Sequence, residues 1–337
     1  MDYPRRLFGP IGGGAVLCVL TVFGCGDDSN GGAGGTGATS HGGAGGAGQG
    51  GQSQGGNGAG GGGADAGGSA LGGAGGGPSG ASAGCGNAVT PGVSTETITV
   101  GGAQRSYIIV IPDSPADTPV PLVFGWHGNT WTPTSFRMDW AIEIEQDFGS
   151  PAIFVYPAGR PVDGLPPEAA GGVSGTGWDW RPDGRDVAFF DALYSTITAE
   201  HCVDLGRVYS FGRSHGGLFS QTLACSRGNL IAKTATVCGG LPPPVTGDLC
   251  VTDHHPVWLA HNIGDPLVPY SLATSARDLW SSRNGCSGAT NPVDPSPCVA
   301  AQGCSSGDEL TFCAVNANNH EPPAFTLAAM ATFFTSP

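Results

Sequence analysis

From Val120 onward the chain alternates short apolar runs with longer stretches whose apolar residues recur at helical spacing. Leu122–Trp126, Ala152–Tyr156, Arg207–Phe211, Thr234–Cys238, Val257–His261 and Leu310–Val315 read as strands. Ser135–Phe148, Val187–His201, His215–Ser226, Ser271–Arg283 and Ala324–Phe334 read as helices, and in the second Phe189, Leu193 and Ile197 form one apolar stripe. Strands apolar on both faces, interleaved with amphipathic helices, predict a mostly parallel sheet covered on both sides. Ahead of them, Thr95–Val100 and Arg105–Ile111 flank Gly101-Gly102 and predict an antiparallel hairpin. Two long segments break the rhythm: Gly159–Arg185, rich in Gly and Pro, and Asn284–Asp308, rich in Cys. Loops of that length in a compact domain tend to carry function.

The front of the chain has no such pattern. Of the 337 residues 61 are Gly, and 29 of those 61 fall between Gly26 and Gly84. Gly and Ala offer little apolar area against a large backbone entropy cost, so no packed core is expected there. All seven Trp lie beyond it, in residues 85–337, which are expected to form one large domain. At the start, Arg5 and Arg6 precede a short apolar stretch, Ile11–Phe23, broken by Gly12, Gly13 and Gly14. Residues 1–24 therefore read as an export signal, too short and too glycine-rich for a stable spanning helix. Val22-Phe23-Gly24-Cys25 is similar to a bacterial lipobox, in which the cysteine is acylated. Acylation at Cys25 predicts a cell-surface lipoprotein; ordinary cleavage nearby predicts a soluble extracellular protein. Residues 25–84 then read as a flexible tether with a mean reach of about 40 Å.

Cysteine usage agrees with export. Of 11 cysteines, Cys18 lies in the signal and Cys25 is the candidate anchor, and no C-x-x-C pair suggests a zinc site. An oxidising compartment predicts disulfides. Cys238, at the end of an apolar run, is expected to be the free buried thiol. The other eight, Cys85, Cys202, Cys225, Cys250, Cys286, Cys298, Cys304 and Cys313, leave their pairing open. The formal net charge is −14 and Lys233 is the sole lysine, which excludes nucleic acid and an anionic membrane surface as partners. Membrane contact is expected only through the lipid, and the domain is expected to act as a monomer.

The pattern G-x-S-x-G occurs at Gly51–Gly55, Gly80–Gly84 and Gly212–Gly216. The first two sit in the glycine-rich stretch and carry no meaning. The third follows the strand Arg207–Phe211 and opens a helix, and such a strand–turn–helix elbow lifts its serine, Ser214, above the sheet edge. A serine hydroxyl needs a base, and the base needs an orienting acid. In an α/β-hydrolase the chain order is Ser, Asp or Glu, His. Asp265 follows directly on the strand Val257–His261, and His320 is the only histidine C-terminal to it. Two amides are expected to form the oxyanion hole: that of His215, after the nucleophile, and that of Asn129 in His127-Gly128-Asn129, with Thr130 as the alternative. Trp178 and Trp180 either flank the acyl group or pack to anchor their loop.

Together these residues resemble the extracellular family of feruloyl esterases, acetylxylan esterases and poly(3-hydroxybutyrate) depolymerases. The likeness covers nearly the whole domain. It includes Gly84-Cys85-Gly86, Arg105-Ser106-Tyr107, Pro121–Phe124 leading to His127-Gly128, Gly177-Trp178, Asp186–Phe189, Cys202-Val203-Asp204, Arg207-Val208-Tyr209, the elbow and Ala224-Cys225. By that resemblance Ser214, Asp265 and His320 are the catalytic triad. The chain departs from the family pattern at His215, where Tyr, Asn or Ala is usual, at Asn262, where Gly is usual, and at Glu321-Pro322, where a Trp-Pro-like pair follows the histidine.

The expectation is an α/β-hydrolase with an N-terminal antiparallel hairpin and no large lid, since Cys238 and Val257 are too close in sequence for a helical one. Its expected activity is hydrolysis of feruloyl or acetyl esters on plant polysaccharide such as xylan, without metal or organic cofactor. The alternatives are a polyhydroxybutyrate depolymerase, a peptidase using the same triad, or a non-catalytic surface lipoprotein that binds carbohydrate.

Overall fold

The structure, a computed structural model, describes residues 80–337 apart from 244, 246, 247 and 306. The expected export signal, Cys25 and nearly all of the glycine-rich tether lie outside the described residues. The end of that tether is described and packed. Ser82 Oγ donates to His201 O at 2.6 Å and accepts from Val203 N at 2.8 Å, and Cys85 is disulfide-bonded to Cys202. Ordered packing thus begins by Gly80, ahead of the boundary at 85 that composition suggests.

Strands β1 (Gly92–Val100) and β2 (Ala103–Ile111) form the expected hairpin, with Gly101 and Gly102 both at positive φ, as a tight two-residue turn requires. After β3 (Val120–Trp126) come two short helices, α1 (Pro133–Phe136) and α2 (Ile142–Asp147), and then β4 (Ile153–Pro157). The single helix read over Ser135–Phe148 is in fact interrupted by a wide turn at Arg137–Ala141. There Arg137 reaches across to Glu145, which also accepts from the buried Tyr156 hydroxyl at 2.7 Å. The glycine- and proline-rich segment holds a two-stranded ribbon, β5 (Arg160–Pro161) with β6 (Thr176–Gly177), around α3 (Pro167–Ala170). The chain continues through α4 (Arg185–Glu200), β7 (Val203–Arg213), α5 (His215–Arg227), β8 (Lys233–Val237), β9 (Val257–Asn262) and α6 (Tyr270–Arg283). It closes with β10 (Thr290–Pro292), β11 (Cys298–Ala301), β12 (Leu310–Val315) and α7 (Thr326–Thr335).

Ten strands make one sheet in the order β1-β2-β4-β3-β7-β8-β9-β12-β11-β10. The centre, β4 to β12, is parallel, and antiparallel strands lie at both edges. This is the α/β-hydrolase arrangement. Alternation along each strand divides the core between two faces. Leu122, Phe124 and Trp126 of β3 pack with Phe190 of α4 and Phe219 of α5, whereas Val123 joins Phe211, Phe136 of α1 and Met330 of α7 on the other side. Gly125 sits where a Cβ would run into the Phe211 and Tyr156 rings at 2.8–2.9 Å, so only glycine fits beneath them.

The Cys-rich segment, read as a loop, supplies β10 and β11 instead. Cys298 and Cys313 are register partners on adjacent strands and are bonded, Cys286–Cys304 closes the segment, and Cys225–Cys250 holds the chain between β8 and β9. Cys238 is free and buried, as its apolar setting predicts. Among the described residues between Val237 and Val257 there is no helix.

Candidate active site

Ser214 is the single residue between the end of β7 and the start of α5, held at φ 57° and ψ −124°. Only small neighbours permit this strained turn: a Cβ on Gly212 would meet the Gly216 carbonyl, and one on Gly216 the Trp126 carbonyl. Ser214 N donates to Val237 O at 2.9 Å, which ties the elbow to β8. The side chain therefore stands at the C-terminal edge of the parallel strands, over a helix N-terminus.

The turn after β3 faces it. A Cβ on Gly128 would lie 3.4 Å from Ser214 Cβ, in direct contact with the serine side chain. The Thr130 amide donates to Thr176 O at 2.8 Å and is spent. No described residue accepts from the amides of Asn129 or His215. Of the two amides expected as the second donor, that of Thr130 is thus taken, whereas among the described residues that of Asn129 has no acceptor.

Because β9 and β12 are parallel neighbours, the loops leaving their C-terminal ends emerge side by side. Asp265 lies on the first and His320 on the second, and His320 Nδ1 donates to Asp265 Oδ2 at 2.6 Å. The other carboxylate oxygen accepts the amides of Leu267 and Val268 at 2.9 and 3.0 Å, which fixes the carboxylate plane. The carboxylate is fully buried, while the imidazole keeps 13% of its surface exposed. Asn262, one of the departures from the family pattern, places its amide nitrogen 2.8–2.9 Å from Asn319 O, Asn319 Oδ1 and Glu321 O, and so brackets His320. Arg213 adds a bond to the His320 carbonyl at 3.3 Å and lays its guanidinium over the Trp131 ring, 4.7 Å from the centroid.

Ser214 and His320 line one cleft of about 780 Å³ with Gly128, Asn129, Trp131, Trp140, Arg213, Leu267 and Pro322. Trp178 and Trp180 do not line it. Both are buried, with indole N–H groups donating to His127 O and Glu168 O at 2.8 and 2.7 Å, so their reading as acyl-flanking residues gives way to packing. The aromatic walls come from Trp131 and Trp140, which sequence reasoning passed over. Trp131 follows so closely on His127-Gly128-Asn129 that its position was the available signal. Among the described residues the group able to approach a metal ion is Cys238, Asp265 and His320, whose donor atoms lie within 4.8 Å of one another. Nδ1 and Oδ2 are already bonded to each other, and burial pushes the Cys238 thiol up to about 12, so the set fits a proton better than a metal.

No protein-family model matches the chain. Feruloyl esterase D of Neurospora crassa is 30% identical over 265 residues, covering 72% of this chain and 82% of that protein. The chain belongs to the feruloyl esterase family. Feruloyl esterase C of Emericella nidulans, 29% identical over 241 residues, covers 69% of this family member and 78% of its own length. Among solved structures, an acetyl xylan esterase from Aspergillus awamori superposes with a TM-score of 0.55 at 15% identity, covering 72% of this chain and all of that one. A ferulic acid esterase from Anaeromyces mucronatus gives 0.52 at 14%, covering 73% and 90%. At those identities the likeness is one of fold, and it places this family member among the α/β-hydrolases.

Proposed function

We propose that this carboxylic ester hydrolase works through Ser214 as nucleophile, His320 as general base and Asp265 as the group that orients it. The observation that carries the reading is the His320–Asp265 bond in the same cleft as Ser214. With Nδ1 donating to the carboxylate, the lone pair of a neutral ring sits on Nε2 and is available to a hydroxyl. Ser214 Oγ attacks the ester carbonyl as its proton passes to His320 Nε2, and the Asn129 and His215 amides receive the oxyanion. The tetrahedral adduct breaks its C–O bond, His320 returns the proton to the departing alcohol, and an acyl-serine remains. Water then repeats the sequence, losing a proton to His320 and releasing the acid.

The acyl group we assign is a hydroxycinnamoyl such as feruloyl, esterified to a plant polysaccharide. Trp131 and Trp140 supply flat walls for an aromatic ring, and the cleft leaves room for a sugar chain at its mouth. The relatives named above are feruloyl esterases, which supports the same choice. Comparison of kcat/KM for methyl ferulate, acetylated xylan and hydroxybutyrate oligomers tests it: ferulate is expected to lead. A lead for the oligomers would turn the assignment to polyester hydrolysis.

The four disulfides require an oxidising compartment, which supports action outside the cytoplasm. Acylation at Cys25 would keep the domain at the cell surface, and loss of fatty-acid labelling in Cys25→Ala is the expected outcome.

A further inference from the structure

We propose that the His215 side chain is a positioning residue that holds the segment between β4 and α4 against the elbow and thereby fixes the oxyanion hole. This rests on the reading of the Asn129 and His215 amides as that hole. The ring uses both nitrogens on one segment: Nδ1 accepts from Trp178 N at 3.1 Å, and Nε2 lies 3.2 Å from Ala170 O. An accepting Nδ1 leaves the proton on Nε2, which donates to that carbonyl. Trp180 stacks on the ring with centroids 4.7 Å apart. A Cβ on Gly177 would be 3.0 Å from the ring, so the segment lies flat against it.

The same segment grips the other half of the hole. Thr176 O accepts both the Thr130 amide at 2.8 Å and Asn129 Nδ2 at 2.9 Å, and Ser174 O takes a further bond from Nδ2 at 3.0 Å. Residues 174–178 therefore bridge the His215 ring and the turn at Asn129-Thr130, through the Asn129 side chain and the Thr130 amide. His127 repeats the arrangement from the β3 side: its Nε2 accepts from Gly159 N at 2.9 Å, and its carbonyl accepts the Trp178 indole.

The bridge needs an uncharged ring. Burial keeps both imidazoles neutral, with the pKa of each pushed down to about 4. The groups facing His215 are neutral His127 and, from α4, the Asp186 carboxylate, which is already paired with Arg105 of β2 at 2.7 Å. A proton on Nδ1 would set one N–H against another at Trp178 and release the segment.

Three substitutions test the claim, all keeping the residue 215 amide. His215→Asn places an acceptor near the Nδ1 position, His215→Gln reaches toward the Ala170 carbonyl only, and His215→Phe keeps the ring shape alone. Gln and Phe are expected to lower kcat on the order of 10²-fold with KM held, the signature of a misplaced transition-state donor. Asn is expected to restore at least about tenfold of that loss. Tryptophan emission of the wild type is expected to titrate with a midpoint near pH 4, from Trp180 on the His215 ring and Trp178 beside His127, and the Asn variant to keep only the part that His127 contributes. Equal kcat in the Asn and Gln variants, or an unchanged titration in Asn, overturns the proposal. If the Phe variant fails to fold, the Asn–Gln pair decides. Ser214→Ala measured alongside separates the levels: activity that survives it removes the serine reading itself. A dead Ser214→Ala beside a fully active Gln variant removes only the role of His215.

Discussion

On the Ser214 side of the cleft the groups assigned to the reaction include two backbone amides, and what braces them is dry and uncharged: His127, His215 and Trp178 are all buried. On the opposite side the imidazole of His320 is partly open to solvent, its partner is a carboxylate, and its loop is held by the Asn262 amide and the Arg213 guanidinium. The two walls suit different tasks. An oxyanion hole acts through donors already in place when charge develops, so it gains from rigid, water-free packing. A general base must take up and return a proton while an alcohol leaves and water enters, so it belongs at the wet edge with a charge to steady it.

The sharpest way to break this comparison is to remove the group that both walls serve. Ser214→Ala is expected to lower kcat by about 10⁴-fold or more, and Asp265→Asn by about 10⁴-fold, through the wrong tautomer of His320. Steady-state assays on methyl ferulate would contradict the assignment if either variant kept a tenth of the activity.

Acid should strike the dry wall through stability. His127 and His215 have folded pKa values near 4. Each lies below the unfolded value of 6.5, so between about pH 6.5 and pH 4 the unfolded chain binds protons that the folded one refuses. Stability is therefore full above pH 6.5, falls through that window, and loses on the order of 3 kcal/mol for each ring. Urea titrations at pH 7 and pH 4.5 should show the drop, and His215→Phe, which removes one of the two rings, should shrink it. An identical midpoint at both pH values would refute this account of the dry wall.

Two smaller effects probe the loop of His320 and the aromatic lining of the cleft. Asn262→Ala is expected to cost about 1–2 kcal/mol of stability and to lower kcat roughly tenfold, with no shift of substrate preference. Trp131→Ala is expected to raise KM for aryl esters by about tenfold, the worth of one aromatic contact, and to leave small acetyl esters nearly unaffected. Equal effects on both ester classes would mean that the ring of the substrate lies elsewhere.

The features legible in the sequence were those set by local pattern. Alternating apolar runs marked the six parallel strands, Gly101-Gly102 marked the hairpin, and the glycines around Ser214 marked the elbow. Chain order then drew Asp265 and His320 together, since parallel strands release their loops at one edge. What pattern does not carry was missed. Thr290–Pro292 and Cys298–Ala301 are only three and four residues long at the sheet edge, too short to show apolar alternation, and so they read as loop. Trp178 and Trp180 stayed open between acyl contact and packing because burial is decided by distant partners, His127 O and Glu168 O. The bridging roles of His215 and Asn262 depend on carbonyls on other loops, and nothing in their own neighbourhoods announces them.

The central claim is that the ester carbonyl is transferred to one serine hydroxyl. Enzyme quenched in acid during turnover of a p-nitrophenyl ester, digested and weighed, tests it most directly. An added acyl mass on the peptide holding residue 214, absent from Ser214→Ala, is the predicted result. Full turnover with no acylated peptide, or with the acyl group on another residue, would contradict it.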